Sequence, residues 1–191
     1  YEAYQAKTAE LTDPAALAHW FTTSVPALMQ DAGKENRVCS PLNLYMALSM
    51  LAAVTDGETR QQILDALGAE SLDALQKQTV QLWTENSWDD GLVTSTLANS
   101  IWLRNGYSYN EETLQTLGED YYASAFSGEM GSDAYNNMLR DWINEHTGNL
   151  LTEQANGLKL DPNTVIALVS AIYYRAPWSD SFYDGATTQD V

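Results

Sequence analysis

The sequence predicts an α+β fold, and three observations predict it. From about residue 13 to 86, capped segments carry apolar residues at helical spacing. At Leu92 the character changes to β-branched and aromatic residues running to Leu103. Thr164 to Tyr174 is almost continuously apolar, the pattern of a strand covered on both faces. Helices therefore come first, and a sheet region of about 92–191 follows, with strands expected near 92–104, 124–130 and 164–175.

The elements follow in order. Asp13-Pro14 is a helix start, a capping carboxylate with proline at the first helical position. Leu17, Trp20, Phe21, Val25 and Leu28 predict one apolar face, and Pro26 predicts a late kink or early end. Gly33 leads into a short strand expected near Val38. Ser40-Pro41 repeats the cap with a hydroxyl. The helix it opens is apolar nearly all round, from Leu42 to Ala53, which marks it as central. A third helix spans about Glu58 to Leu67 and stops at Gly68, and a fourth begins at Ser71. After the long strand, Asn105-Gly106 makes a turn, and Asn110 caps a helix to about Tyr122. A short strand to Met130 precedes Ser132, which starts an amphipathic helix. It places Tyr135, Met138, Leu139 and Trp142 on one face and Asn136, Asn137, Arg140 and Asp141 on the other, so it lies on a surface. No repeat or low-complexity linker interrupts the chain.

Composition narrows the function. The 191 residues carry 9 basic against 26 acidic side chains, a net charge of −17. That field repels nucleic acid and anionic membrane alike. No apolar run reaches the ~20 residues of a membrane helix. Cys39 is the single cysteine, so no internal disulfide forms. There is no Asn-x-Ser/Thr sequon. His19 and His146 have no partners in a triad or metal spacing, and no metalloprotease, thiol-redox or phosphate-loop motif is present. An enzyme is therefore the remote reading, since it would need catalytic groups supplied from elsewhere. Asp89-Asp90 and Glu111-Glu112 read as loop and helix-start charges.

Five spaced motifs carry a family resemblance. They are Ser40-Pro41 with Asn43; Gly57-Glu58-Thr59 to Gln62-Ile63; Asn99-Ser100-Ile101-Trp102; Trp142-Ile143-Asn144 with Thr147; and Leu168 to Tyr174 with Trp178, Phe182 and Thr187. In this order the chain resembles the N-terminal half of a serpin, from about Pro14 to Thr188. Asn43 stands where the family usually has Ser, and Ser170 where it usually has Asn. Thr147-Gly148-Asn149 inverts the usual Thr-Asn-Gly, and Arg175-Ala176-Pro177-Trp178 replaces Lys-Gly-x-Trp.

The resemblance implies one serpin domain, whose helices pack on part of a large mixed sheet. Residues 1–191 supply its N-terminal half; the C-terminal half and its reactive loop lie outside them. It implies a protease inhibitor whose loop is cleaved and then inserts into the main sheet as a strand. The sheet is expected to part between the strand near Leu97 and the strand near Leu168. Ser40, Pro41, Asn43, Asn99 and Ser170 would form the shutter beneath that seam. Trp178 and Thr187 would mark the breach where the loop enters. The helix bearing Trp142 and Thr147 would cross the sheet and yield. The implied partners are a serine or cysteine protease, the missing half and, for the chain alone, copies of itself. No cofactor is implied. Lys77 is the one base on the Ser71–Trp83 helix, which excludes a heparin site there. Family analogy implies secretion, and the single-cysteine, sequon-free chain reads as prokaryotic. The alternative is a non-inhibitory serpin acting as a binding or scaffold protein.

Overall fold

A computed structural model describes residues 14–30, 33 and 38–179. Thr187 and Phe182 of the last motif lie outside them. Four helices lead the chain: α1 (Pro14–Met29), α2 (Pro41–Val54), α3 (Gly57–Leu67) and α4 (Leu72–Asn86). A two-residue strand β1 (Trp88–Asp89) precedes the long β2 (Thr94–Arg104). Then come α5 (Glu111–Asp120), β3 (Ala123–Gly128), α6 (Asp133–His146), the short α7 (Thr152–Asn156) and β4 (Ile166–Arg175).

Asp13 lies outside the described residues; the described caps act as the sequence predicts. Ser71, Asn110 and Ser132 each accept a backbone N–H three residues on, and Gly68 closes α3 in the left-handed conformation at φ 70°. None of the described side chains of α2 is exposed, and Tyr45, Met46, Ser49, Met50 and Ala52 are fully enclosed.

Some expectations change. Pro26 does not end α1, which continues to Met29; so near the C-terminus proline removes only one ladder bond. Val25 points outward and Ser24 takes the inner position, because i+3/i+4 spacing from Trp20 and Phe21 selects it. Val38 to Ser40 form no strand, and Val38 is fully exposed; among the described residues no strand pairs with it. β3 ends at Gly128, two residues short of the expected Met130, where a turn with Gly131 at φ 80° leads into α6.

The described sheet has four strands and is mixed. β2 is its centre. β4 runs antiparallel along one edge of β2 through ten register pairs, from Thr94↔Arg175 to Leu103↔Ile166. On the other edge, β3 pairs parallel from Asn99 to Arg104, and β1 pairs antiparallel at Thr94 and Ser95. Every residue from Leu97 to Leu103 is buried, so both faces of β2 are covered. Ala98 and Trp102 pack under Tyr135, Leu139 and Trp142 of α6. On the opposite face, Ile101 and Leu103 pack with Met50 of α2 and Leu117 and Tyr121 of α5 and its end. The helix predicted to lie on a surface thus lies across the sheet.

Candidate functional site

The head of α2 is a small hydrogen-bonded knot. Ser40 is extended (φ −117°), and its Oγ accepts the Asn43 N–H at 3.2 Å. The same hydroxyl donates to Asn43 Oδ1 at 2.7 Å. Pro41 supplies the carbonyl that accepts Trp20 Nε1–H at 3.2 Å, tying α2 to α1.

A second polar pair lies in the sheet. Asn99 and Ser170 are directly opposite on β2 and β4, so their side chains leave the same face, the one packed on α2 and α5. Asn99 is 1% exposed; its Nδ2 donates to the Tyr121 carbonyl at 2.8 Å. Asn99 Oδ1, Ser170 Oγ and the Tyr121 hydroxyl are all buried without a hydrogen-bond partner. Each such group costs about 1–3 kcal/mol. Burial pushes the Tyr121 hydroxyl far above the usual tyrosine range, with the Asp120 charge adding to it; burial does the same to Tyr45. Tyr45 differs in having a partner, Gln78 Oε1 at 2.7 Å.

The five residues expected to form a shutter are therefore two knots, not one. Ser40, Pro41 and Asn43 serve the head of α2, and Asn99 and Ser170 face each other in the sheet. No hydrogen bond joins them. The expected seam falls on a paired ladder. The strands near Leu97 and Leu168 are β2 and β4, which share the longest ladder in the described sheet. Parting them would break all ten register pairs. Among the described residues β4 pairs only with β2.

α6 is clamped onto the sheet at both ends. At its start the Tyr135 hydroxyl accepts Leu103 N–H at 3.1 Å and lies 3.1 and 2.9 Å from the Leu103 and Phe126 carbonyls. It thus bridges β2 and β3. Its ring fills the space over Gly128, where a Cβ would collide with it. At the other end Thr147 is buried and donates to the Ile143 carbonyl at 2.7 Å. Trp142, also buried, stacks on His146 at 4.4 Å, and His146 Nδ1 lies 2.7 Å from the Trp142 carbonyl. Gly148 follows at φ 58°, and a Cβ there would stand 2.7 Å from the Tyr173 ring of β4. Sequence reasoning missed Tyr135 and Tyr173 as clamps. The signals available were Gly128 and Gly148, small residues where a ring must approach backbone.

Trp178 is 78% exposed beyond the end of β4. Its predicted companion Thr187 lies outside the described residues. Among the described residues no cluster of His, Cys, Asp or Glu could hold a metal, and no helix is long and apolar enough to cross a membrane.

Comparison with known proteins agrees with this geometry. The family model described as "Serpin (serine protease inhibitor)" matches residues 20–191. Mouse neuroserpin is 27% identical over 169 residues, covering 87% of this chain and 41% of its own length. Serpin-ZXA of rice is 28% identical, with 87% and 43% covered. The solved structure of Arabidopsis AtSerpin1 in its native stressed conformation superposes with a TM-score of 0.81 at 22% identity, over 94% of this chain and 48% of that one. The chain spans about two fifths of the length of the curated relatives it matches. These relatives are animal and plant proteins, so they lend no support to a prokaryotic reading.

Proposed function

The chain belongs to the serpin family, and on that premise we propose that the whole protein is a protease inhibitor that traps its target by strand addition. A loop outside these residues is cut by a serine or cysteine protease. Before the acyl-enzyme is hydrolysed, the cut loop joins the sheet as a new strand. The observation that carries this reading is the serpin family match over residues 20–191, with β4, held to β2 through ten register pairs, as the strand that would border the new one. Strand addition there is driven by main-chain hydrogen bonds. It adds to the ladder and breaks none of the described pairs.

Under this reading Ser170 is the polar group nearest the receiving edge, and Asn99 its support from β2. The unpaired Oγ and Oδ1 are groups that gain partners as the sheet fills. Trp178 lies just past β4 and meets the entering strand. α6, held by Tyr135 and by Gly148 against Tyr173, must shift over the sheet as it widens. The protein works outside the cell, where its target proteases act, and it is not an enzyme.

The test uses the full-length protein mixed with a panel of serine and cysteine proteases. The expected result is a covalent complex that survives denaturant, together with a rise in thermal stability of the cleaved inhibitor. Clean turnover as a substrate by every protease, with no complex and no rise, would reject the reading in favour of a binding or scaffold role.

A further inference from the structure

We propose that the cavity beside the first turn of α5 binds a small, neutral, single-ring amphiphile, of which phenol is the simplest probe. This inference is independent of strand addition. The cavity has a volume of about 170 Å³ and lies among the end of α2, the β2–β4 ladder and the start of α5. A volume of roughly 150 Å³ is enough to admit one benzene ring. Its floor is Ile101 and Leu103 of β2, which are 1% and 4% exposed. Val54, Leu114 and Ile166 form the walls. Those side chains come from four separate elements, so they cannot collapse onto one another without moving a helix against the sheet.

The mouth is held open by hydrogen bonds. The Tyr109 hydroxyl lies 2.8 Å from the Arg104 carbonyl and 3.2 Å from the Val165 carbonyl, pinning its loop across the ends of β2 and β4. Arg104 N–H donates to Val165 at 3.0 Å. Asn110 fixes the first turn of α5 through its bond to Thr113 N–H at 3.1 Å. Such a preformed site spends little ordering free energy on its ligand. At the rim the Ser108 hydroxyl offers a donor and acceptor for one polar group. Glu111 and Glu112 follow the lining residue Asn110 in the first turn of α5, in a chain of net charge −17. A carboxylate is therefore repelled, whereas a neutral hydroxyl is not. Ring inward and hydroxyl outward is the arrangement that satisfies both ends.

The experiment is a titration of the full-length protein with phenol, followed by methyl NMR of Ile101, Leu103, Leu114 and Ile166, with benzoate as the charged control. Saturable shifts confined to these methyls are expected, with benzoate binding at least tenfold more weakly. Leu114→Trp fills the cavity and should abolish saturation. Ile166 is partly exposed and tolerates enlargement, so Ile166→Phe gives the same reading if the first variant does not fold. Shifts that grow linearly and spread over the surface overturn the site. So does saturation unchanged in Ile166→Phe. Benzoate binding as tightly as phenol overturns the neutral class.

Discussion

The Tyr121 hydroxyl is buried, unpaired and adjacent to Asp120, so it contributes cost without a bond. Tyr121→Phe should leave stability unchanged or raise it by up to about 1 kcal/mol, whereas Tyr45→Phe, which strands Gln78, should cost about 1 kcal/mol or more. Urea denaturation of the full-length protein checks both. The same two tyrosines set an alkaline limit. Folding raises each pKa, so the folded state keeps a proton that the unfolded state releases near pH 10. Stability is complete below that pH and falls as pH rises above it. Denaturation midpoints measured from pH 8 to 11 should drop above about pH 10, less steeply in Tyr121→Phe. At the head of α2, Ser40→Ala should cost about 0.5–2 kcal/mol. A double-mutant cycle should show coupling between Ser40 and Asn43 and none between Asn43 and Ser170, since their hydrogen bonds lie in separate knots.

Among the elements, the helix caps and the core face of α2 were legible in the sequence because each is decided within one turn of chain. Ser40, Asn110 and Ser132 cap as their types predict. The two-residue β1 was not legible. It exists because Asp90 Oδ1 accepts the N–H groups of Leu92 and Val93, folding a hairpin onto β2. Asp90 is therefore a turn-maker and not only a solvated charge, and those bonds hold its carboxyl below the usual range. α7 was missed because a five-residue helix has too short a period to read. The clamps of α6 were hidden for a different reason: each depends on a ring from one element filling space that a glycine leaves on another segment. Gly148→Ala combines a left-handed backbone with a collision at Tyr173 and should destabilise by about 2 kcal/mol or more. Tyr135→Phe, which leaves Leu103 and Phe126 groups unpaired, should cost about 1–3 kcal/mol and speed any process in which α6 lifts.

For the whole molecule, the sequence carried the family and the order of elements, but the strand pairing decides where the sheet can accept a strand. No local pattern distinguishes the two edges of an apolar strand such as Ile166 to Arg175. Only the ladder to β2 shows that its near edge is filled. Residues 1–191 produced alone should associate, because the far edge of β4 and the partly exposed Val165, Ile166 and Tyr174 offer a template for pairing. Sedimentation of that fragment should show oligomers that dilution does not fully dissolve, and a stable monomer would speak against an open edge. The most direct measurement is hydrogen exchange of the full-length protein before and after cleavage of its loop by a protease. Amides of Leu168 to Tyr174 should become strongly more protected on cleavage, while those of Leu97 to Leu103 keep the protection they had. Loss of protection in both strands would mean that β2 and β4 part, and unchanged protection in β4 would mean that no strand joins it; either result contradicts the account.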